Sequence, residues 1–367
     1  DPDAVAEIAE RLVKARSPVI VTAASGRNPA TVPALVALAE ALGIAVVNSA
    51  WRAYLNFPMT HPLFQEQAAL KEADVVVALE AHIPWIPGRN SPPQDAYVAV
   101  IDTDPVKTRI PTFEFTADLR LTADPLLAIQ ALLGAVEARI KPADKSRIAA
   151  RAAHWAEASK AQWAALEREA MAQAKQTPIG REWLAWQIGL ALGDNSIVLD
   201  ETTSGNRINR FLRQNRPGSY IGNPGSAGGW STGAALGAKL AAPDRDVVAI
   251  TGDGFYMFGV PNAAIWSAAH HKAPFMTVVF VNRSYGTGTT LVNAAFPDGY
   301  AAKAGFEGGY FDPPIDFAKE AEAAGAYGET VRDPAEVAAA LQRGLAETRR
   351  GRPAVIAVWM PRLMRGD

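Results

Sequence analysis

Val247-Val248-Ala249-Ile250-Thr251-Gly252-Asp253-Gly254 decides the fold, and Met276-Thr277-Val278-Val279-Phe280-Val281-Asn282 answers it. Both are short apolar runs rich in β-branched residues, separated by a helix-length segment, so they read as neighbouring buried strands of a parallel sheet. Each strand ends in a hard oxygen ligand, Asp253 or Asn282. In parallel sheets ligands collect at the carboxyl ends of strands. A carboxylate and an amide oxygen, with neither Cys nor a His cluster beside them, suit Mg²⁺, which is commonly shared with ligand phosphates. A magnesium-diphosphate corner is therefore expected here.

Working outward, the segments before this corner have βαβ rhythm. Ser196-Ile197-Val198-Leu199-Asp200 is a strand running into Glu201-Thr202-Thr203-Ser204-Gly205. Thr203 and Ser204 either contact a phosphate at a helix N-terminus or simply cap that helix. Gly222 to Trp230 is a glycine-rich loop entering a small-residue helix over 231–240. Its glycines either let a flat ligand lie against the main chain or serve tight packing. After Asn282, the stretch through Tyr285 and on to Pro314 is rich in Gly, Pro and aromatics, and reads as a long irregular segment suited to a lid. A helix, a strand, a second helix and the strand 354–359 close the chain.

Residues 1–135 repeat the same rhythm, with strands at 18–22, 44–47, 74–79, 97–102 and near 119–121. The turn after the first strand lacks GxGxxG, so a dinucleotide site has no sequence support. Residues 136–177 carry Ala, Lys, Arg and Glu with a few Trp or Leu anchors and no strand signal, and read as a helical connector. The expected fold class is α/β, with two open parallel-sheet (Rossmann-like) domains, 1–135 and 178–367, joined by that connector.

Composition narrows the function. Lys+Arg 36 against Asp+Glu 38 leaves no basic excess for nucleic acid or an anionic membrane. No apolar run approaches the length of a bilayer span. The absence of Cys excludes disulfides, thiolate metal sites and cysteine nucleophiles. The expected location is the cytoplasm. The five histidines, His61, His82, His154, His270 and His271, lack ligand spacing.

The combination of strand, Gly-Asp-Gly, helix, strand ending in Asn, and Tyr-Gly turn, preceded by a glycine-rich loop and an Ala/Gly helix, resembles the diphosphate-binding domain of thiamine-diphosphate-dependent enzymes. It is most similar to the acetolactate-synthase-like and benzoylformate-decarboxylase-like group. Residues 1–135, with His61-Pro62-Leu63-Phe64 and Ile83-Pro84-Trp85-Ile86-Pro87, resemble that group's noncatalytic central domain. The resemblance implies thiamine diphosphate and Mg²⁺ as cofactors; FAD or ADP in the central domain has no support beyond the resemblance. It makes Asp253, Asn282 and the carbonyl of Ser284 the metal ligands. Gly252, Gly254 and Phe255 then border the diphosphate, with Thr203 and Ser204 at its far end. Gly228, Gly229 and Trp230 border the aminopyrimidine, and Tyr285 lies near the thiazolium or the lid.

Three positions depart from the group's pattern. Phe255 stands where Ser is common, Val281 replaces the first Asn of an Asn-Asn pair, and Gly228 stands where relatives place a bulky apolar wedge. Nothing in the chain resembles the group's pyrimidine-binding domain, whose glutamate activates the cofactor. The expected activity is cleavage or formation of a C–C bond on a 2-oxo acid or related carbonyl substrate, by a lyase or transferase. The site would be completed by a pyrimidine domain on a separate or cleaved chain, within a homo- or hetero-oligomer. The alternative is a noncatalytic or half-site subunit.

Overall fold

The computed structural model describes residues 1–49, 53–107, 115–202, 208–223, 225 and 228–362. Two compact units divide the chain, the first comprising 1–164 with 214–218 and the second 165–213 with 219–367.

The first unit is built on a six-stranded, all-parallel sheet of β1 (Pro18–Thr22), β2 (Ala45–Asn48), β3 (Phe64–Gln65), β4 (Val75–Leu79), β5 (Tyr97–Asp102) and β6 (Leu119–Thr122). Their order across the sheet is β3-β2-β1-β4-β5-β6. The Val/Ile/Ala runs of β1, β4 and β5 are buried throughout, because helices cover both faces. Ile20, Val77 and Ile101 face a core shared with Leu12, Leu35, Leu38 and Leu132, whereas Val19, Val21, Val76 and Val100 face Leu70 and Trp85. The sharp alternation is the period of two in a strand expressed as packing.

The stretch 136–177 that reads as a connector contains the helix Lys145–Ala172. Arg151 fastens its first part to this unit. The buried guanidinium donates to the carbonyls of Ala15 at 2.6 Å and of Leu42 at 3.1 Å, closing the C-terminal ends of the helices Pro2–Lys14 and Thr31–Leu42. Orphan carbonyls at helix ends favour such a cation.

The second unit has its own all-parallel sheet of β7 (Ser196–Glu201), β8 (Tyr220–Gly222), β9 (Asp246–Gly252), β10 (Met276–Val281), β11 (Tyr327–Val331) and β12 (Ala354–Trp359), ordered β11-β12-β10-β9-β7-β8. The chain goes from β7 to β8 on one side and then crosses to β9 on the other. The carboxyl ends of β7 and β9 therefore flank a topological switch point, the usual crevice for a ligand in such sheets. Ile197, Leu199, Val247 and Ala249 pack on one face with Phe275, and Val279, Val281, Val355 and Ala357 on the other with Phe317.

The segment after Asn282 differs from its sequence reading. It contains the helices Gly286–Ala295 and Tyr300–Lys303. Gly and Thr are poor helix formers, so propensity hides a helix that tertiary context supports. Among the described residues, no helix is long and apolar enough to cross a membrane.

Candidate functional site

The two strands that open the sequence argument are neighbours in register, with Phe280 opposite Gly252. Adjacent parallel strands lie about 4.8 Å apart, so Asp253 and Asn282 leave the sheet side by side. Asp253 begins the short helix Asp253–Phe258 and is only 1% exposed. Its carboxylate accepts from the backbone N–H of Gly254 at 2.9 Å and of Arg283 at 2.5 Å. Burial pushes its pKa up to about 7, against the pull of those N–H groups. A divalent cation would remove that penalty.

Arg283 adopts the left-handed conformation, φ 58°, which turns the chain back so that its N–H reaches Asp253. Its guanidinium donates to the Met360 carbonyl at 2.9 Å and lies 4.4 Å over the Trp359 ring, which holds the strained turn in place. Asn282 Oδ1 accepts from both the N–H and the hydroxyl of Ser284, at 2.9 and 2.7 Å.

Each glycine of the corner has its own reason. A Cβ on Gly252 would meet nothing within 4 Å, so this side of the corner is open. A Cβ on Gly254 would lie 2.9 Å from the Tyr285 ring, which packs edge-on against Phe311 at 4.8 Å and tilts toward Phe258 at 5.6 Å. A Cβ on Gly229, φ +92°, would lie 2.5 Å from the backbone of Gly259. The glycine-rich loop is thus seated directly on the helix that starts at Asp253.

Sequence reasoning missed the two carboxylates that end β7. Asp200 accepts from the N–H and hydroxyl of Thr202, at 2.9 and 2.6 Å, and from the Tyr220 hydroxyl at 2.7 Å. Glu201, 2% exposed, accepts from the N–H groups of Trp230 at 2.7 Å and Ser231 at 3.0 Å and from the Asn223 amide at 3.0 Å. It therefore satisfies the first N–H groups of the helix Ser231–Ala241 from a distant strand and fixes the Gly228-Gly229-Trp230 loop. Two consecutive acids closing an apolar strand were the available signal. Thr203 and Ser204 lie outside the described residues.

The structure brings together Gly228, Gly229, Gly252, Asp253, Gly254, Phe255, Asn282, Ser284 and Tyr285 around the carboxyl ends of β9 and β10, with Trp230 tied to β7. Residues 5–132 match the family described as thiamine pyrophosphate enzyme, central domain, and residues 202–358 the thiamine pyrophosphate enzyme C-terminal TPP binding domain. The chain belongs to the thiamine pyrophosphate enzymes. Similar curated proteins include a sulfoacetaldehyde acetyltransferase of Rhodobacter capsulatus, 27% identical over 97% of this chain and 63% of the relative. A benzoylformate decarboxylase of Pseudomonas aeruginosa is 26% identical over 78% of this chain and 52% of its own length. Among solved structures, a benzoylformate decarboxylase from Polynucleobacter necessarius superposes with a TM-score of 0.73 at 20% identity, covering 100% of this chain and 65% of that one. A 4-hydroxybenzoylformate decarboxylase from Rhodococcus jostii RHA1 gives 0.74 at 23%, covering 98% and 64%. At those identities the structures speak for the fold. The chain spans 52% to 65% of the length of these four relatives.

Proposed function

We propose that residues 178–367 hold thiamine diphosphate through Mg²⁺, and that the protein takes part in cleaving or joining a C–C bond beside the carbonyl of a 2-oxo acid or related substrate. The single observation that carries this reading is Asp253. It is a buried carboxylate at the carboxyl edge of a parallel sheet, accepting from the backbone N–H groups of Gly254 and Arg283, beside the open side of Gly252. The donor set of Asp253, the Asn282 amide oxygen and the Ser284 carbonyl is all hard oxygen, as Mg²⁺ prefers.

Thiamine diphosphate, when bound, supplies the nucleophilic carbon and electron sink for chemistry next to a carbonyl. This chain's share is placement. Asp253 and Asn282 would hold the cation, and the N–H groups of Gly254 and Phe255 would face the diphosphate. Glu201 keeps the Gly228–Trp230 loop rigid at the other end.

The same reading includes a pyrimidine-binding domain supplied by further polypeptide within an oligomer. Its support is a set of exposed aromatic side chains in the second unit: Phe258 is 63%, Trp266 61%, Phe296 67% and Tyr300 94% exposed. Large exposed apolar side chains are what a partner would cover. They also favour a second reading, a subunit that lends a half-site to a partner chain. Activity appearing only when a pyrimidine-domain chain is added would select the second reading.

Titration of thiamine diphosphate into the protein with and without Mg²⁺ tests the cofactor assignment. Cation-dependent binding is expected, and binding of equal strength in chelator would overturn it.

A further inference from the structure

Phe255 lies on the helix that starts at the proposed diphosphate corner, and its ring packs against the glycine-rich loop assigned to the other end of the cofactor. A Cβ built on Gly228 would fall 2.3 Å from Cδ1 and 2.7 Å from Cε1 of the Phe255 ring. Real Cβ atoms do not approach so closely, so the ring occupies the volume that any side chain at 228 would need. Position 228 and position 255 are therefore one feature: the aromatic ring sits where the loop has given up a side chain. Beside it, Gly229 meets Gly259 backbone to backbone, so the loop lies against the helix with no side chain between them.

The ring is half-buried, which leaves part of it accessible beside Gly228. It carries no donor or acceptor, and so has nothing to offer a phosphate oxygen. An aromatic face does attract a flat cationic ring. We propose that the Phe255 side chain is the apolar support for the middle, thiazolium part of the cofactor, and that residue 228 is glycine to leave room for it. This inference rests on the thiamine diphosphate reading.

The test separates packing from binding. In urea denaturation without cofactor, Gly228→Ala is expected to lower the midpoint in the parent protein and to have little effect in a Phe255→Ala background. Equal losses in both backgrounds would overturn the packing half. In calorimetry with Mg²⁺, Phe255→Ala is expected to weaken thiamine diphosphate roughly tenfold while leaving inorganic pyrophosphate, which has no thiazolium, unchanged. Phe255→Leu should recover part of the loss. Equal weakening of both ligands would show that the ring acts only by holding the Gly-Asp-Gly corner, and would overturn the support role. A parent protein that binds pyrophosphate but gains nothing from the rest of thiamine diphosphate would overturn it too. If the parent protein binds neither ligand, the cofactor reading fails and this inference fails with it, whatever the denaturation cycle gives.

Discussion

Glu80 and Asp253 occupy comparable places in two different sheets. Each directly follows a central parallel strand, each is buried, and burial raises the pKa of each above its ordinary value. They differ in what answers the charge. Glu80 is ion-paired with Arg27, and its neighbour Asp102, at the end of β5, is ion-paired with the buried Lys107. Asp253 is met by backbone N–H groups. In the first sheet the chain's own cations answer the buried carboxylates, whereas under the proposed function the corner of the second takes its cation from outside. Two domains with the same architecture then differ through the placement of a few cations, and the sheet itself does not decide.

Removing one of those cations should produce the largest stability change. Lys107→Met strands the buried Asp102 carboxylate and should cost about 3 kcal/mol in urea denaturation, with little effect on cofactor affinity. A cost near zero would mean that the first crevice is wetter than its burial implies.

Next in size is Glu201→Gln, which turns an acceptor into a donor facing the N–H of Trp230 or Ser231. A loss of about 2 kcal/mol is expected. Hydrogen exchange at Trp230 and Ser231 should quicken while the amides of β10 stay protected. Unchanged exchange at those two amides would remove Glu201 from its positioning role.

Glu80 should leave a smaller, pH-dependent trace. Its folded pKa lies above the ordinary 4.5, with burial outweighing the Arg27 guanidinium. The unfolded chain therefore ionises first as pH rises, and stability contributed by this group increases as pH falls from neutral through the folded value, levelling off below 4.5. The difference between the parent and Glu80→Gln should show that slope. A difference independent of pH would contradict it. The smallest expected effect is none: FAD, ADP or NAD should leave the melting temperature unchanged if the first crevice is structural, and a clear upward shift would reopen it.

Much of this contrast was legible in the sequence, but unevenly. The runs at 247–252 and 276–281 specify buried parallel strands by composition alone, and Asp253 and Asn282 follow from where those strands stop. The short edge strands Phe64–Gln65 and Tyr220–Gly222 carry too few residues for any period to register. The helix Gly286–Ala295 was hidden by its Gly and Thr content. Glu201 left a signal in the acid pair that closes its strand, but its partners and the Gly228–Phe255 packing could not be read, because they depend on segments about thirty residues apart meeting at the carboxyl ends of the strands. The Arg27–Glu80 pair was hidden for the same reason, its members standing 53 positions apart.

Under the proposed function the second sheet needs an external cation at Asp253 and the first needs none at Glu80. Calorimetry of thiamine diphosphate binding in the presence of Mg²⁺, on Asp253→Ala and Glu80→Gln side by side, tests it most directly. Binding should be abolished in the first variant and retained at parental affinity in the second. Unchanged affinity in Asp253→Ala would contradict the site.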